Sequence, residues 1–198
     1  MKISPRVSLV IIAAIFLLPL LLAWFMYSGT IDYKPSTMRN FGQLVKPPIP
    51  LDWQEAILLP GGDEPGQDAA EAFSTHWVIL YPVPDPCLDT CLQAVSALRQ
   101  IHRAAGRQQA RIRIALLIRD NGSTDVESTL RDTYSRFQLI RDPDGKVTST
   151  LQRATVEPGA VYLIDPLGNI MMTYKEGADP NNLKQDLKRL LTWSKLDT

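Results

Sequence analysis

The stretch His76-Trp77-Val78-Ile79-Leu80-Tyr81, with Pro86-Cys87-Leu88-Asp89-Thr90-Cys91 just after it, decides how this chain is read. The first part, rich in branched and aromatic side chains, reads as a buried strand. The second opens an amphipathic segment, Leu88 to Ala105, that reads as a helix stopped by Gly106. The only two cysteines, Cys87 and Cys91, therefore stand where a strand hands over to a helix. Thiols so placed either exchange a disulfide, as a catalytic pair, or hold a soft metal, as its ligands. A spacing of i, i+4 puts both on one face if the whole segment is helical, with Cα atoms about 6 Å apart, a separation that a disulfide accepts. A purely structural disulfide is the third reading. So short a loop removes little entropy from the unfolded chain, so that crosslink would stabilise weakly.

Working outward, Val7 to Tyr27 holds 21 residues without a charge. As a helix this run covers about 31 Å, close to the hydrocarbon thickness of a bilayer. Pro19 is tolerated in such a span. Trp24 and Tyr27 mark one end as an aromatic belt would, and Lys2 and Arg6 flank the other, which places the N-terminus in the cytoplasm. A cleaved signal peptide is the alternative, but the bulky Trp24-Phe25-Met26-Tyr27 offers no small-residue cleavage site, so the run reads as an uncleaved anchor, and in either case the globular part is exported. The expectation is a single-pass protein of the bacterial inner membrane with its globular part in the periplasm. There an unprotected thiol pair oxidises unless it is reduced or metallated.

The expected organisation is a cytoplasmic tip and anchor over 1–27, a juxtamembrane linker over 28–50 and a folded domain over 51–198. Pro47-Pro48-Ile49-Pro50 would stiffen the linker, and Pro60 to Gly66 reads as an exposed loop. Lys2 and Arg6 are the only charges in 1–27, so the remainder carries 19 positive and 21 negative groups. No basic stripe points to nucleic acid. Two histidines are too few for a histidine-rich metal site.

Beyond the first helix, Arg111 to Ile118 reads as a second buried strand and Val126 to Phe137 as a second helix. A short strand, Gln138 to Ile140, and a turn at Pro143-Asp144-Gly145 come next. Ala160 to Ile164 and Asn169 to Tyr174 form a hairpin through Asp165-Pro166-Leu167-Gly168. Asp179 caps a last helix begun by Pro180, whose apolar face is Leu183, Leu187, Leu190 and Leu191. The order is α/β, and it resembles the thioredoxin-like layout. In that layout the first helix carries cysteines at its N-terminal turn, where the helix dipole favours a thiolate.

The segment Cys87-Leu88-Asp89-Thr90-Cys91 after an apolar strand resembles the CxxxC segment of the Sco family, with Asp89 at that family's frequent aspartate. Arg111 to Asp125, with Asp120 and Asp125, is similar to its second strand and acidic turn. Val161-Tyr162-Leu163-Ile164-Asp165-Pro166-Leu167-Gly168 is similar to its hairpin. The likeness covers about residues 72 to 192, together with the anchor. It implies a membrane-anchored accessory factor for cytochrome c oxidase assembly, with Cys87 and Cys91 handling copper or exchanging disulfides. The implied partners are a respiratory oxidase subunit or other copper and thiol proteins at the membrane.

Two departures bear on copper. The prolines that follow the family's cysteines are Leu88 and Leu92 here, and its ligand histidine, eight residues before the hairpin aspartate, corresponds to Glu157, followed by Pro158 and Gly159. A carboxylate is a hard ligand and a poor partner for Cu(I). His102 falls about 16 Å along the helix from Cys91, on its apolar stripe, and reads as a core residue. His76 reads as a strand-edge residue. Met171 and Met172 read as packing residues, and Pro158 as the cis-proline of a thioredoxin-like site or an ordinary loop proline. Two other readings stand beside the first. One is a general periplasmic thiol-disulfide oxidoreductase, in which Cys87 attacks and Cys91 resolves. The other is a non-catalytic scaffold whose cysteines are a brace. Whether the protein is an enzyme stays open, since a factor that hands over a metal catalyses no reaction.

Overall fold

A computed structural model describes residues 4–28, 40–54, 56–60, 68–118, 124–155, 157 and 160–194. Asp120, the side chain of Asp125, Pro158, Gly159 and the loop at 61–66 lie outside the described residues. The chain divides into two units, 1–39 and 40–198.

The first unit contains helix α1, Pro5–Tyr27. Ser4 caps it, its Oγ accepting from Val7 N at 3.5 Å, and Pro5 sits where the missing N–H costs nothing. Its apolar side chains are exposed, and Pro5–Phe25 has a mean hydropathy of 2.8 over 21 residues, long and apolar enough to cross a membrane.

The second unit is built on one seven-stranded sheet, in the order β1-β7-β6-β3-β4-β5-β2. The strands are β1 (Gln43–Pro50), β2 (Ile57–Leu58), β3 (Trp77–Pro82), β4 (Ile112–Ile118), β5 (Phe137–Arg141), β6 (Val161–Ile164) and β7 (Asn169–Tyr174). Strands β3, β4 and β5 run parallel, joined through helices α3 (Asp89–Ala104) and α4 (Thr124–Thr133). The β6–β7 hairpin pairs antiparallel to β3. Helices α2 (Ala69–Phe73), α5 (Lys146–Ala154) and α6 (Pro180–Trp193) complete the unit.

Alternation along β3 divides the core. Trp77, Ile79 and Tyr81 face Val95, Leu98 and Ile101 of α3 and Leu183, Leu187 and Leu191 of α6. Val78 and Leu80 face the other way, against Phe73 of α2, Leu151 of α5 and the segment carrying Leu51 and Trp53. The hairpin closes as its residues require. Asp165 Oδ1 accepts from Leu167 N at 2.9 Å and Asn169 N at 2.8 Å, and Gly168 takes φ 86°. Asp179 caps α6 through Asn181 N at 2.9 Å, with Pro180 as the first helical residue.

The sheet claims residues that the sequence reading left out. Gln43–Pro50, expected as the end of the linker, is β1, paired antiparallel to β7. Its prolines are accommodated because β1 is an edge strand, where an N–H can be dispensed with, and the pairing register shifts between Leu44 and Ile49. Phe137, expected at a helix end, is buried at the start of β5. Helix α5 was not expected, because Val147-Thr148-Ser149-Thr150 is poor in helix formers. Its cap comes from before the glycine turn, as Asp142 carboxylate oxygens accept from Val147 N at 3.2 Å and Thr148 N at 2.7 Å.

The start of this unit is tied to its last helix. Asp186 of α6, only 2% exposed, accepts on Oδ2 from Phe41 N at 2.8 Å, Gly42 N at 2.9 Å and the Tyr174 hydroxyl at 3.0 Å. Burial first, and the Asp186 charge second, push the Tyr174 hydroxyl pKa far up. Position 42 has no room for a side chain, since a Cβ there would stand 2.6 Å from Tyr174 Cζ.

Candidate functional site

The cysteines follow the C-terminal end of β3, and the structure joins them as a disulfide with Cα atoms 5.3 Å apart. Only one lies in the helix. Leu88 is the N-cap of α3, with extended backbone (φ −89°, ψ −173°), and its carbonyl accepts from Leu92 N at 3.0 Å. Cys91 is thus the third helical residue, and Cys87 precedes the cap. The single-helix geometry considered from the i, i+4 spacing does not hold, yet the Cα separation it gave is close to the one observed.

The two sulfurs are in unequal settings. Cys91 is fully buried among the residues packed between α3 and the sheet, while Cys87 is half-buried against the same cluster. A partner sulfur therefore reaches Cys87 and not Cys91. Leu88 cannot supply a capping oxygen, so the first amides of α3 have no side-chain acceptor at the cap. Those amides and the helix dipole favour a thiolate beside them, whereas the Asp89 carboxylate in the first turn opposes one. Leu88 and Leu92 are 65% and 38% exposed and put apolar surface next to the half-buried sulfur. The sequence carried the signal for this, two leucines off the buried stripe of Cys91, Val95 and Leu98.

A cleft of about 290 Å³ runs alongside, between α3 and the β7–α6 connection. Thr90, Ala94 and Leu98 form one wall, Leu183 the other, and Tyr81 and Tyr174 belong to its lining. Burial, and then Glu176, push the Tyr81 hydroxyl pKa up. Both tyrosines were passed over in the sequence reading because each falls inside an apolar strand pattern.

The remaining candidates are employed elsewhere. His102 is buried, with Nδ1 2.8 Å from the Tyr134 hydroxyl and Nε2 3.4 Å from the Ile112 carbonyl, and burial lowers its pKa. His76 precedes β3, at the opposite end of that strand from the cysteines, with Nδ1 2.6 Å from the Ser74 carbonyl. Met172 is buried, its sulfur 3.5 Å from the Tyr174 hydroxyl. Glu157 Oε1 pairs with Lys175 Nζ at 2.9 Å. Among the described residues no three His, Cys, Asp or Glu side chains converge as a metal site. The thiols suit Cu(I) by softness, but a three-ligand copper centre with a histidine does not fit these residues.

Comparison with solved structures gives a consistent fold. Apo Sco1 from Thermus thermophilus aligns with a TM-score of 0.57 at 16% identity, over 79% of this chain and 99% of that one. A putative thiol:disulfide interchange protein DsbE from Chlorobium tepidum aligns at 0.53 and 19% identity, over 72% and 97%. Copper-bound ScoI from Arabidopsis thaliana aligns at 0.51 and 14% identity, over 62% and 88%. At such identities the likeness is one of fold, and the fold is thioredoxin-like. A search of curated proteins gives no match. The model of the transmembrane-like, thioredoxin-like C-terminal domain family matches residues 77–194, more than half of the chain, and the chain belongs to that family.

Proposed function

We propose that this protein is a membrane-anchored thiol-disulfide exchange factor on the periplasmic side of the bacterial inner membrane, serving cytochrome c oxidase assembly. The observation that carries the exchange chemistry is the unequal burial of the cysteines, Cys87 open to a partner and Cys91 enclosed. The oxidase assignment is supported by the Sco-like CxxxC and hairpin sequences, together with the apolar helix α1.

In the reduced protein the Cys87 thiolate attacks one sulfur of a partner disulfide, and the partner's other sulfur leaves as a thiolate. Cys91 then loses its proton and attacks Cys87, the mixed disulfide breaks, and the second partner thiolate departs. Two electrons pass to the partner, and this chain ends with the Cys87–Cys91 bond. An exported dithiol reductant resets it by the reverse exchange. The cleft beside α3 would receive an apolar side chain flanking the partner's cysteine. Copper takes no part in this scheme.

The test uses the full chain in the membranes of an oxidase-producing bacterium. Cys91→Ala should trap a mixed disulfide with an oxidase subunit, seen as a heavier band on a non-reducing gel and absent in Cys87→Ser. A double Cys87→Ser, Cys91→Ser variant that restores full oxidase assembly would overturn the reading in favour of a scaffold. Tight, stoichiometric Cu(I) uptake by the reduced protein in an anaerobic competition, lost in Cys87→Ser, would overturn it in favour of copper handling.

A further inference from the structure

The near-neutral charge of the whole chain conceals a strong local bias. From Thr90 to Arg119 there are six arginines, at 99, 103, 107, 111, 113 and 119, with no lysine and no carboxylate. The fold gathers most of them at the end of the sheet away from the cysteines. A 3₁₀ turn, Gly106–Arg111, links α3 to β4 there. Arg111 donates to the Leu191 carbonyl at 2.9 Å and to Ser194, so this turn is fastened to the last turn of α6. Gln109 ties this turn to its neighbours: its Nε2 donates to the main-chain carbonyl of Arg103 at 3.0 Å, and its Oε1 accepts from Arg136 Nη1 at 3.2 Å. Arg113 and Arg136 line a small cavity with His102, and both cations add to the lowering of its pKa. In the segments 99–113, 131–136 and 190–194 the only carboxylate is Asp132, and the β6–β7 turn at the same end of the sheet adds Asp165, whose Oδ1 is taken up by Leu167 N and Asn169 N.

An aromatic side chain completes the surface. Trp193, at the end of α6, is 84% exposed, although Arg111 donates to the carbonyl of Leu191, two residues before it, and to Ser194, the residue after it. Burial in the core therefore does not account for Trp193, and an amphipathic ring beside guanidinium groups is what a lipid interface accepts.

We propose that this end of the domain is a docking surface for an anionic lipid bilayer. Arg103 and Arg107 meet the phosphates, and Trp193 enters the headgroup layer. The inference rests on the reading that α1 spans a membrane. Guanidinium groups pair with phosphate through two parallel hydrogen bonds, so arginine suits this surface better than lysine. Each such group near an anionic leaflet strengthens attachment by up to about fivefold, and salt weakens it. Docked in this way, the domain holds Cys87 on the side turned away from the lipid.

The test is hydrogen exchange on the full chain in nanodiscs of phosphatidylcholine alone, or with about a third phosphatidylglycerol. Amides of 106–111 and 190–194 should exchange at least threefold more slowly in the anionic discs. The protection should disappear at high salt and in an Arg103→Gln, Arg107→Gln, Trp193→Ala variant, with β3 and β4 unchanged as the folding control. Equal exchange in both discs, or protection that survives in the variant, overturns the proposal. Protection reproduced in neutral discs by inorganic phosphate assigns a free-anion site instead and also overturns it. Protection that appears only on adding an acidic partner protein does the same. Failure of the chain to enter any disc is a separate result, and counts against the membrane-spanning reading of α1.

Discussion

Helices α3 and α6 both start at the cysteine end of the sheet, and they start differently. Helix α6 is finished: Pro180 brings no orphan N–H, Asp179 accepts from Asn181 N at 2.9 Å, and Asp186 holds the helix to Phe41, Gly42 and Tyr174. Helix α3 begins at Leu88, which has no capping oxygen, directly behind a half-buried sulfur. A missing cap costs about 1 kcal/mol. Helix α3 forgoes that stabilisation and keeps its positive end available to a sulfur anion. Where a fold completes one helix and leaves its neighbour open, the open one is where chemistry is expected.

The comparison can be broken most severely at Cys87. Cys87→Ser should reduce disulfide exchange with a peptide substrate to the uncatalysed background. The lost crosslink should cost about 2 kcal/mol, since a loop of this length constrains the unfolded chain little. The next largest effect lies on the finished side. Asp186→Ala leaves two buried donors and one part-buried donor without their acceptor and should cost about 3–5 kcal/mol in urea unfolding, with the alkylation rate of reduced Cys87 unchanged. A smaller pair of substitutions exchanges the two starts. Leu88→Asp should stabilise by about 1 kcal/mol and slow iodoacetamide alkylation of Cys87 severalfold, because the new carboxylate competes with the thiolate for the same amides. Asp179→Ala should cost about 1 kcal/mol and leave alkylation alone.

The smallest effect concerns the other end of α3. His102 has a folded pKa below its usual value, so the unfolded chain binds the proton more readily. Stability should be highest above about pH 6.5 and fall as pH drops through that value toward the lower folded pKa. In His102→Phe the profile of urea midpoint against pH should be flatter over the same window.

Much of this was legible in the residues. Strand β3 is an unbroken apolar run, β4 is one interrupted by Arg113 alone, the hairpin is announced by Asp165-Pro166-Leu167-Gly168, and α6 by Asp179-Pro180. Each of these signals is local. The elements that were missed depend on distant partners. Pro47 and Pro48 speak against a strand, and β1 exists because β7 offers it an edge. Helix α5 has weak propensity and forms because Val147 and Leu151 find a core under the sheet. At the site, the cysteine pair was visible, and so was the likelihood of a disulfide. The unequal burial was not, because it depends on where α3 begins, and a helix boundary shifts by a residue or two without any change of pattern. Asp186 was invisible for the opposite reason: a carboxylate on a polar-rich helix looks like any solvated one until three donors from elsewhere meet it.

The hold of Asp186 on Phe41 and Gly42 also sets a timetable. The first strand of the domain is seated by β7 and by a residue 144 positions further along the chain. During synthesis β1 therefore waits, without its pairing edge, until β7 and Asp186 have been made. The two cysteines do not wait, since four residues separate them and the bond they form needs nothing distant. An oxidant that meets the emerging chain can close this pair before the domain around it has assembled, so on the exchange function proposed above the newly made protein would start oxidised and need a reductant before its first turn.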